Sequence, residues 1–592
     1  MKIIVMGVSG CGKSSIAEAL AQSLGAPFLD GDDFHPAANK AKMAAGTPLN
    51  DEDRAPWLEQ LRHELASRPS VVLACSALKK RYREVLRKAG NVRFVYLEGS
   101  FELIEGRMLA RTNHFMKPGM LRSQFDALEV PSPEETDVLA VSIALPVAQV
   151  VEHALQRLHR STFQLADGAP DRVLSQTDLE SHLATLLTHI LAVKPKRILL
   201  LPPDHTRLYS MAGPISAWLY PRLIGAGIEV EVMPTLGTHA PMTREQCEMM
   251  FGDAIPFEKI LPHRWREDLV TLGELPVEFM REISGGRFDQ PLPVQVNKIL
   301  VEGNFDLVIS PGQVVPHEVI GLANYTKNIC VGLGGRDTIH RSHFLGAVCN
   351  METIMGRVDT PVRRALDEAF NRFIAHRLPV LFILTVMQDT ADGVTQRGLY
   401  AGYDRSGYEA AARLSATVNF TLVDRAIDRC VVWLDPREFH TTWLGNKSVY
   451  RTRMAMADGG TLYVLAPALA HFGEDPTIDS LIRRHGYKGT PATLAAMKQD
   501  PELAGNLSAA AHLIHGSSEG RFRIVYCPGP GVTREEIEGV GFEYMPYEEA
   551  AKRWNPAGQN TGWHTDSVDG KAYYSISNPA LGLWANQARL TG

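Results

Sequence analysis

Residues 2–15 read KIIVMGVSGCGKSS, and this stretch decides the fold of the N-terminal part of the chain. A short apolar strand runs into a glycine-rich loop, and the helical pattern IAEALAQSLG follows. A strand, a GxxxxGKS loop and a helix in this order predict a P-loop on a parallel α/β sheet. The glycines let backbone N–H groups face nucleotide phosphates, and the helix N-terminus adds positive potential. The stretch therefore predicts a nucleoside triphosphate site with Mg²⁺.

The residues expected to bind the nucleotide belong to the loop itself. We expect Lys13 to reach the β- and γ-phosphates and Ser14 to hold the magnesium ion. The full set at this loop is Gly7, Gly10, Gly12, Lys13, Ser14 and Ser15.

The phosphate acceptor is expected to bind to PFLDGDDFHPAANKAKMAAGTPLNDEDRAPWL, residues 27–58. Asp30, Asp32 and Asp33 follow a strand end, where a carboxylate can accept a proton from an attacking hydroxyl or bind magnesium through water. His35 and Arg54 are among the polar groups that suit a polyol or a carboxylate.

This stretch resembles the gluconate kinase family of the thermoresistant gluconokinase type. The pattern GDxxHPxxNxxKMxxGxPLxDxDRxPWL is present throughout, and CSALKKRYR, FVYLEG, GRMLARTNHFM and LRSQFDALEVPSPEETD follow. The resemblance covers almost all of residues 1–155 and implies transfer of phosphate from ATP to the 6-hydroxyl of D-gluconate. By position it implies Asp32 as the base or hydroxyl-orienting carboxylate. It also implies Lys79 and Lys80 as contacts for gluconate or phosphate, and Arg107 and Arg111 as neutralising charges in a lid-like segment.

Length and composition indicate a globular protein of several domains. At 592 residues and about 150 residues per domain, three or four domains are expected. The formal net charge of −6 gives no reason to expect nucleic acid or an acidic membrane as a partner. The seven cysteines form no Cys-x-x-Cys pair, the first apolar run is too short for a signal peptide, and no apolar stretch reaches about 18 residues. We expect a cytoplasmic protein with small-molecule partners, and a kinase of this type can form a homodimer.

A domain boundary is predicted after the kinase-like part. The stretch LHRSTFQLADGAPDRVLSQ loses periodicity and gathers Ser, Asp, Gly and Pro. The expected domains are 1–160, a linker at 161–176, and two further α/β domains at 177–370 and 371–592.

Polar clusters follow three predicted strands of the larger part, RILLLPPD, VEVMPTLGTH and DLVISPG. They are Asp204 to Arg207, Gly237 to His239, and the stretch PHEVIGLANYTKNICVGLGGRDTIHRSH from Pro316 to His343. Strands that alternate with helices predict parallel sheets, and sites in such sheets gather beyond the carboxyl ends of the strands.

The residue types alone leave several chemistries open. Two histidines that face each other across a substrate suit proton transfer on either side of it. A nearby lysine can be a Schiff-base nucleophile or an attachment point for a cofactor, and a further histidine can bind a metal.

The DxTR, GTH, PHx₉K and Kx₁₅H spacings resemble the nickel-dependent lactate racemase family. Its members invert 2-hydroxy acids through hydride transfer with a nickel-pincer nucleotide tethered to a lysine. By position, the resemblance implies Lys327 as the tether and His343 as the nickel ligand. The other implied roles are acid/base for His239 and His317, cofactor or substrate positioning for Asp204 and Arg207, and substrate binding for Lys447 and Trp443. His340 matches no motif position.

Two places in the sequence depart from the family pattern. Asn324, Tyr325 and Thr326 stand where Ser-Gly-Gly is usual, and Ala240 stands where Arg is expected. These changes indicate a substrate other than lactate, with a cofactor that is held differently or absent as the alternative.

The two resemblances together predict a bifunctional enzyme. Inversion at carbon 2 of D-mannonate gives D-gluconate, which the kinase would trap as 6-phosphogluconate. In one alternative the larger part acts on another 2-hydroxy acid, such as lactate or malate. In the other it is a non-catalytic module that regulates the kinase.

Overall fold

The computed structural model describes the chain apart from residues 46, 48, 110–117, 133–134, 391–392, 555–558, 580–581 and 591–592. Contacts divide it into unit 1, Met1–Phe163, and unit 2, Gln164–Gly592. The predicted α/β class is confirmed, and the P-loop strand lies at the centre of a parallel sheet.

The strands of unit 1 pair in the order β2-β3-β1-β4-β5, and every pairing is parallel. Alternate residues of the first strand enter two different cores, Ile3 and Val5 on one face and Ile4 and Met6 on the other. Because both faces are covered, the strand reads as a continuous apolar run. The strands are β1 (Lys2–Met6), β2 (Phe28–Asp30), β3 (Val71–Ala74), β4 (Val92–Glu98) and β5 (Val138–Ser142). The helices are α1 (Lys13–Leu24), α2 (Ala37–Ala44), α3 (Asp51–Ala66), α4 (Lys80–Arg87), α5 (Phe101–Leu109), α6 (Pro118–Ala127) and α7 (Val147–Thr162).

The described part of unit 2 contains two six-stranded sheets. The first has the order β6-β15-β14-β11-β7-β8, in which β14, β11, β7 and β8 run parallel. The second has the order β20-β19-β18-β17-β22-β21 and is parallel except for β21. The strands of the first sheet are β6 (Gln164–Gly168), β7 (Arg197–Leu200), β8 (Glu229–Val232), β11 (Leu307–Gln313), β14 (Val380–Thr390) and β15 (Gly393–Gly402). Those of the second sheet are β17 (Ile427–Trp433), β18 (Met456–Ala466), β19 (Arg523–Pro528), β20 (Glu543–Tyr544), β21 (Gly562–Thr565) and β22 (Ala572–Ile576).

Shorter pairs and helices complete unit 2. The remaining strands are β9 (Leu269–Leu275) with β10 (Leu292–Asn297), β12 (Pro316–His317) with β13 (Gly321–Leu322), and β16 (Thr421–Val423) with β23 (Trp584–Asn586). The helices are α8 (Gln176–Ala192), α9 (Ala212–Gly225), α10 (Arg244–Phe251), α11 (Val277–Ser284), α12 (Ile299–Glu302), α13 (Thr326–Cys330), α14 (Arg336–Val348), α15 (Pro361–Phe373), α16 (Arg405–Val418), α17 (Thr442–Gly445), α18 (Lys447–Thr452), α19 (Pro476–His485), α20 (Thr490–Gln499), α21 (Pro501–Gly505), α22 (Leu507–His515), α23 (Arg534–Gly539), α24 (Tyr547–Trp554) and α25 (Gln587–Leu590).

The domain limits differ from those expected from the sequence. Residues 164–168 of the predicted linker form β6, which pairs antiparallel with β15 as an edge strand of the first sheet. The predicted division at residue 370 does not separate the two sheets either. Strands β14 and β15 follow that residue but belong to the first sheet. One hydrophobic core extends from Leu199 to Trp584 and joins both halves of unit 2.

The described residues after Trp554 form part of the scaffold. Strand β22 pairs with β17 inside the second sheet, and β23 pairs with β16. All seven cysteines are described, buried and free. No helix in the described ranges is long and apolar enough to cross a membrane.

A buried arginine holds the loop between β13 and α13. Arg363, on α15, donates to the carbonyls of Leu322 (2.7 Å) and Asn324 (3.1 Å) and to Thr326 Oγ1 (2.9 Å). The Thr326 hydroxyl donates in turn to Asp367, which lies one turn further along the same helix. This cluster satisfies carbonyls that a buried loop would otherwise leave without donors.

We predict that Arg363→Met lowers the free energy of unfolding of unit 2 by about 3 kcal/mol, because the carbonyls of Leu322 and Asn324 remain buried without their donor. Asp367 also loses a neighbouring positive charge, although it keeps its bonds from Thr326 and Arg405. Urea denaturation measures the change. The neighbour Arg364 is exposed and pairs with Asp359 at the surface, so Arg364→Met is the matched control, with a loss of about 1 kcal/mol or less. Equal losses for the two variants would contradict the role given to Arg363.

Candidate active sites

The P-loop of unit 1 borders a cavity of about 240 Å³. The loop adopts the backbone shape that its glycines allow, since φ is +145° at Gly7, +82° at Gly10 and +96° at Gly12. A Cβ added at Gly10 would lie 2.7 Å from the side chain of Met108, so a larger residue does not fit there.

The side chains that follow the loop are held at its rim. The Lys13 ammonium donates to the Val8 carbonyl (3.0 Å), and the Ser14 hydroxyl donates to Asp30 Oδ2 (2.7 Å). A hydroxyl paired with a carboxylate suits a hydrated magnesium ion. Asp30 also caps the turn that carries Asp32, whose amide donates to Asp30 Oδ1 (3.1 Å).

Asp32 and His35 line the same cavity. The Asp32 side chain is 87% exposed, and His35 Nε2 lies 3.8 Å from its Oδ1. The His35 ring stacks on Trp57 at 4.2 Å, and Trp57 Nε1 donates to the Gly31 carbonyl (2.7 Å). Burial lowers the pKa of His35, which favours the neutral ring.

Other predicted contacts do not reach this cavity. Lys79 pairs with Asp51 (3.1 Å) instead of lining it. Arg107 donates to the Ile143 carbonyl (2.5 Å), and Lys80 is not among the lining residues either. Arg111 lies outside the described residues. The sequence reading missed Gln124, which accepts from the Ser9 amide (2.7 Å) and so ties α6 to the P-loop.

In unit 2, the three polar clusters predicted from the sequence line one cavity of about 270 Å³. They meet because β11, β7 and β8 are neighbours in a parallel sheet and end at the same edge. Its lining includes Asp204, Arg207, His239, His317, Lys327 and His343.

Asp204 and His239 form a hydrogen-bonded pair, with His239 Nδ1 2.6 Å from Asp204 Oδ2. Burial opposes ionisation of the Asp204 carboxyl, but hydrogen bonds from His239 and Thr206 lower its pKa. An ionised carboxylate only accepts hydrogen bonds, so His239 carries its proton on Nδ1. The Nε2 lone pair of His239 is therefore available as a base, on a side chain that is 56% exposed.

His317 carries its proton on the other ring nitrogen. Its Nδ1 accepts a hydrogen bond from the Val319 amide (3.1 Å), so the neutral ring carries its proton on Nε2. Burial lowers the pKa of His317 to about 3, which keeps the ring neutral at physiological pH. The hairpin of β12 and β13 positions it, and Gly321 is required in that hairpin because a Cβ there would lie 2.2 Å from the Arg357 carbonyl.

Lys327 and His343 face the same cavity from α13 and α14. Burial, and next the charge of Arg207, lower the pKa of Lys327 to about 8. His343 Nδ1 donates to the Ile339 carbonyl (2.7 Å), so the lone pair of its Nε2 is the one free to bind a metal. Burial lowers the pKa of His343 to about 4.

The residues before Lys327 adopt a shape that is typical of glycine. Asn324 has φ +70° and Tyr325 has φ +59°, at the positions where the resemblance places Ser and Gly. Asparagine tolerates positive φ, but tyrosine there costs about 1–3 kcal/mol. The Tyr325 ring offsets this cost by packing on Tyr408 at 5.2 Å and on Phe382 at 4.4 Å.

Lys447 and Trp443 lie outside the lining of this cavity. Burial and the charges of Arg451 and Arg207 lower the pKa of Lys447, whereas the charge of Glu318 raises it. Trp443 packs on His512 at 4.3 Å. The sequence reading missed Glu318, which follows His317 directly and lines the cavity.

Comparisons with known proteins match the two units. Residues 9–158 match the shikimate kinase family, and residues 179–356 match the lactate racemase N-terminal domain. The thermoresistant gluconokinase of Escherichia coli is 47% identical over 159 residues, which are 26% of this chain and 90% of that protein.

Two solved structures show the fold of the larger unit. A Thermotoga maritima protein aligns with a TM-score of 0.57 at 22% identity, over 70% of this chain and 98% of its own. The lactate racemase apoprotein of Thermoanaerobacterium thermosaccharolyticum aligns with a TM-score of 0.50 at 15% identity, over 74% of this chain and 93% of its own.

The fold and cavity of unit 1 define a P-loop kinase, and the larger unit has a lactate racemase fold. Through unit 1 the chain belongs to the gluconokinase family, and a lactate racemase N-terminal domain is fused to it.

The lowered pKa of Lys327 predicts unusual reactivity of its amine. Below about pH 8 the amine is protonated and inert, and above it the neutral amine reacts, so modification by trinitrobenzenesulfonate should rise through about pH 8 instead of the ordinary 10.5. Peptide mass mapping of the cofactor-free protein measures the midpoint, with Lys327→Arg as the control for assignment. A midpoint near 10.5 would rule out the desolvated amine.

Proposed function

We propose that the chain is a bifunctional enzyme that epimerises a sugar acid at carbon 2, interconverting D-mannonate and D-gluconate, and phosphorylates D-gluconate with ATP. One observation carries the proposal. A single cavity is lined by the Asp204–His239 pair, His317, Lys327 and His343, and the chain that forms it also contains a gluconokinase-family unit.

In the kinase reaction the P-loop amides and Lys13 would bind the phosphates of ATP, and Ser14 with Asp30 would hold Mg²⁺. Asp32 faces the cavity and would accept the proton of the 6-hydroxyl as phosphate is transferred. His35, held neutral on Trp57, would offer a hydrogen bond to the sugar acid.

We predict that Asp32→Asn lowers kcat for ATP-dependent phosphorylation of D-gluconate by about 10²-fold or more, because the amide cannot accept the proton. A coupled assay for ADP measures it. Asp33 is exposed and does not line the cavity, so Asp33→Asn is the matched control and should retain the activity of the unchanged protein. Similar losses in both variants would remove Asp32 from this role.

The residues of the larger cavity fit a tethered metal cofactor of the nickel-pincer type. Lys327 offers a desolvated amine that forms no hydrogen bond or ion pair with any described residue, and His343 offers an imidazole with its Nε2 lone pair free. Lys327 would hold the cofactor and His343 would bind its metal. When bound, this cofactor would supply a site that takes hydride from carbon 2 of the substrate and returns it.

The protein would supply the proton transfers and the orientation. His239 Nε2 would take the hydroxyl proton of the substrate, and the Asp204 carboxylate would stabilise the resulting imidazolium. His317, with its proton on Nε2, would donate a hydrogen bond to the substrate oxygen from the other side. Arg207 and Lys447 would attract the substrate carboxylate.

We predict that the purified protein with its cofactor converts D-gluconate to D-mannonate without ATP, as seen by proton NMR. His239→Ala should abolish the conversion, and Asp204→Asn should slow it by about 10²-fold or more, because the proton acceptor loses its partner carboxylate. His340 lies on the same helix as His343 but does not line the cavity, so His340→Gln is the control and should remain active.

Intact mass identifies the loaded protein, since a tethered cofactor adds several hundred daltons that Lys327→Ala removes. If loaded protein leaves both acids unchanged, the larger unit acts on another 2-hydroxy acid such as lactate or malate. If no adduct forms and no acid is turned over, the larger unit is a non-catalytic module.

A further inference from the structure

A second, smaller cavity adjoins the one that contains His317 and Lys327. Its volume is about 40 Å³, and Val315 and Glu318 line both cavities, so the two share a wall. At roughly 10–15 Å³ per water-sized group, it holds about three such groups.

Four polar side chains converge on this second cavity: Glu318, Asn419, Tyr450 and Arg451. Asn419 donates through Nδ2 to Ser415 Oγ (3.1 Å), and its Oδ1 accepts no hydrogen bond from a described residue. The Tyr450 hydroxyl likewise has no hydrogen-bond partner among the described residues. Burial, and next the charge of Glu318, raise the pKa of Tyr450, so its hydroxyl stays neutral and can donate.

The charges of this cavity disfavour an anionic ligand. Burial opposes ionisation of the Glu318 carboxyl, but the nearby positive charge of Arg451 lowers its pKa, so a carboxylate faces the same space as the guanidinium. Donors and acceptors that alternate in this way match hydroxyl groups, each of which both donates and accepts.

We propose that this cavity binds the far end of the substrate's polyol chain, carbon 6 with its hydroxyl and the hydroxyl of carbon 5 in a six-carbon sugar acid. This inference rests on the proposed epimerase activity and names the residues that give it chain-length specificity. The proposal places carbon 2 in the large cavity, between His239 and His317, and the end of the chain beyond Val315 and Glu318, which line both cavities. A three-carbon acid leaves the small cavity to water.

The test measures inversion at carbon 2 of D-gluconate and of glycerate, without ATP, in two variants and one control variant. Tyr450→Phe removes one hydroxyl, and Asn419→Leu removes an amide. Each should lower the ratio of kcat/KM for gluconate to kcat/KM for glycerate by about tenfold, because a lost buried hydrogen bond is worth roughly that factor. Tyr463→Phe is the control, since Tyr463 packs on Trp554 in another core and should leave the ratio unchanged.

The outcomes separate this inference from the proposed function. If the protein epimerises gluconate but the gluconate-to-glycerate ratio of kcat/KM is unchanged in Tyr450→Phe and Asn419→Leu, the proposed function stands and the subsite is overturned. A crystal structure with D-gluconate tests the subsite without turnover. Hydroxyls within hydrogen-bond distance of Asn419 and Tyr450 support it, whereas gluconate bound only in the kinase cavity, or with its polyol end elsewhere, overturns it.

Discussion

The larger site depends on the buried guanidinium of Arg363. It donates hydrogen bonds to two carbonyls and one hydroxyl of the loop that leads into α13, and it lies 4.4 Å from the ring of Tyr408. Through that loop it fixes the position of Lys327 relative to His317. The strained backbone of Tyr325 persists because this arginine and the surrounding rings determine the loop on every side.

The sheet supplies the second constraint. The parallel strands β11, β7 and β8 end side by side, and each is followed by one polar cluster. The short strands and their following loops bring an aspartate, two histidines and a lysine together from positions up to 123 residues apart. Hydrogen bonds then give the two histidines different proton positions, because one faces a carboxylate and the other a backbone amide.

The sequence predicted the features that are local or periodic. The P-loop, the α/β class and the polar residues after three strands are all written in short stretches. Contacts between distant segments were missed, such as Glu318 beside Arg451 and Lys79 with Asp51. The linker was misread because β6 becomes a strand only by pairing with β15, some 230 residues further on. Arg363 and Asp367 did leave a signal, since they stand one helical turn apart on a helix that is otherwise apolar on that face.

The strand order of unit 2 also bears on how the protein is made. Unit 1 closes within its first 163 residues, so its contacts can form while the ribosome is still translating the rest. The second sheet of unit 2 is incomplete until β22 has been synthesised, and the strand with which β16 pairs, β23, emerges later still. The kinase fold would therefore be present on the nascent chain well before the larger cavity exists. During that interval the exposed edges of β16 and β17 would be the part of the chain most in need of protection from aggregation.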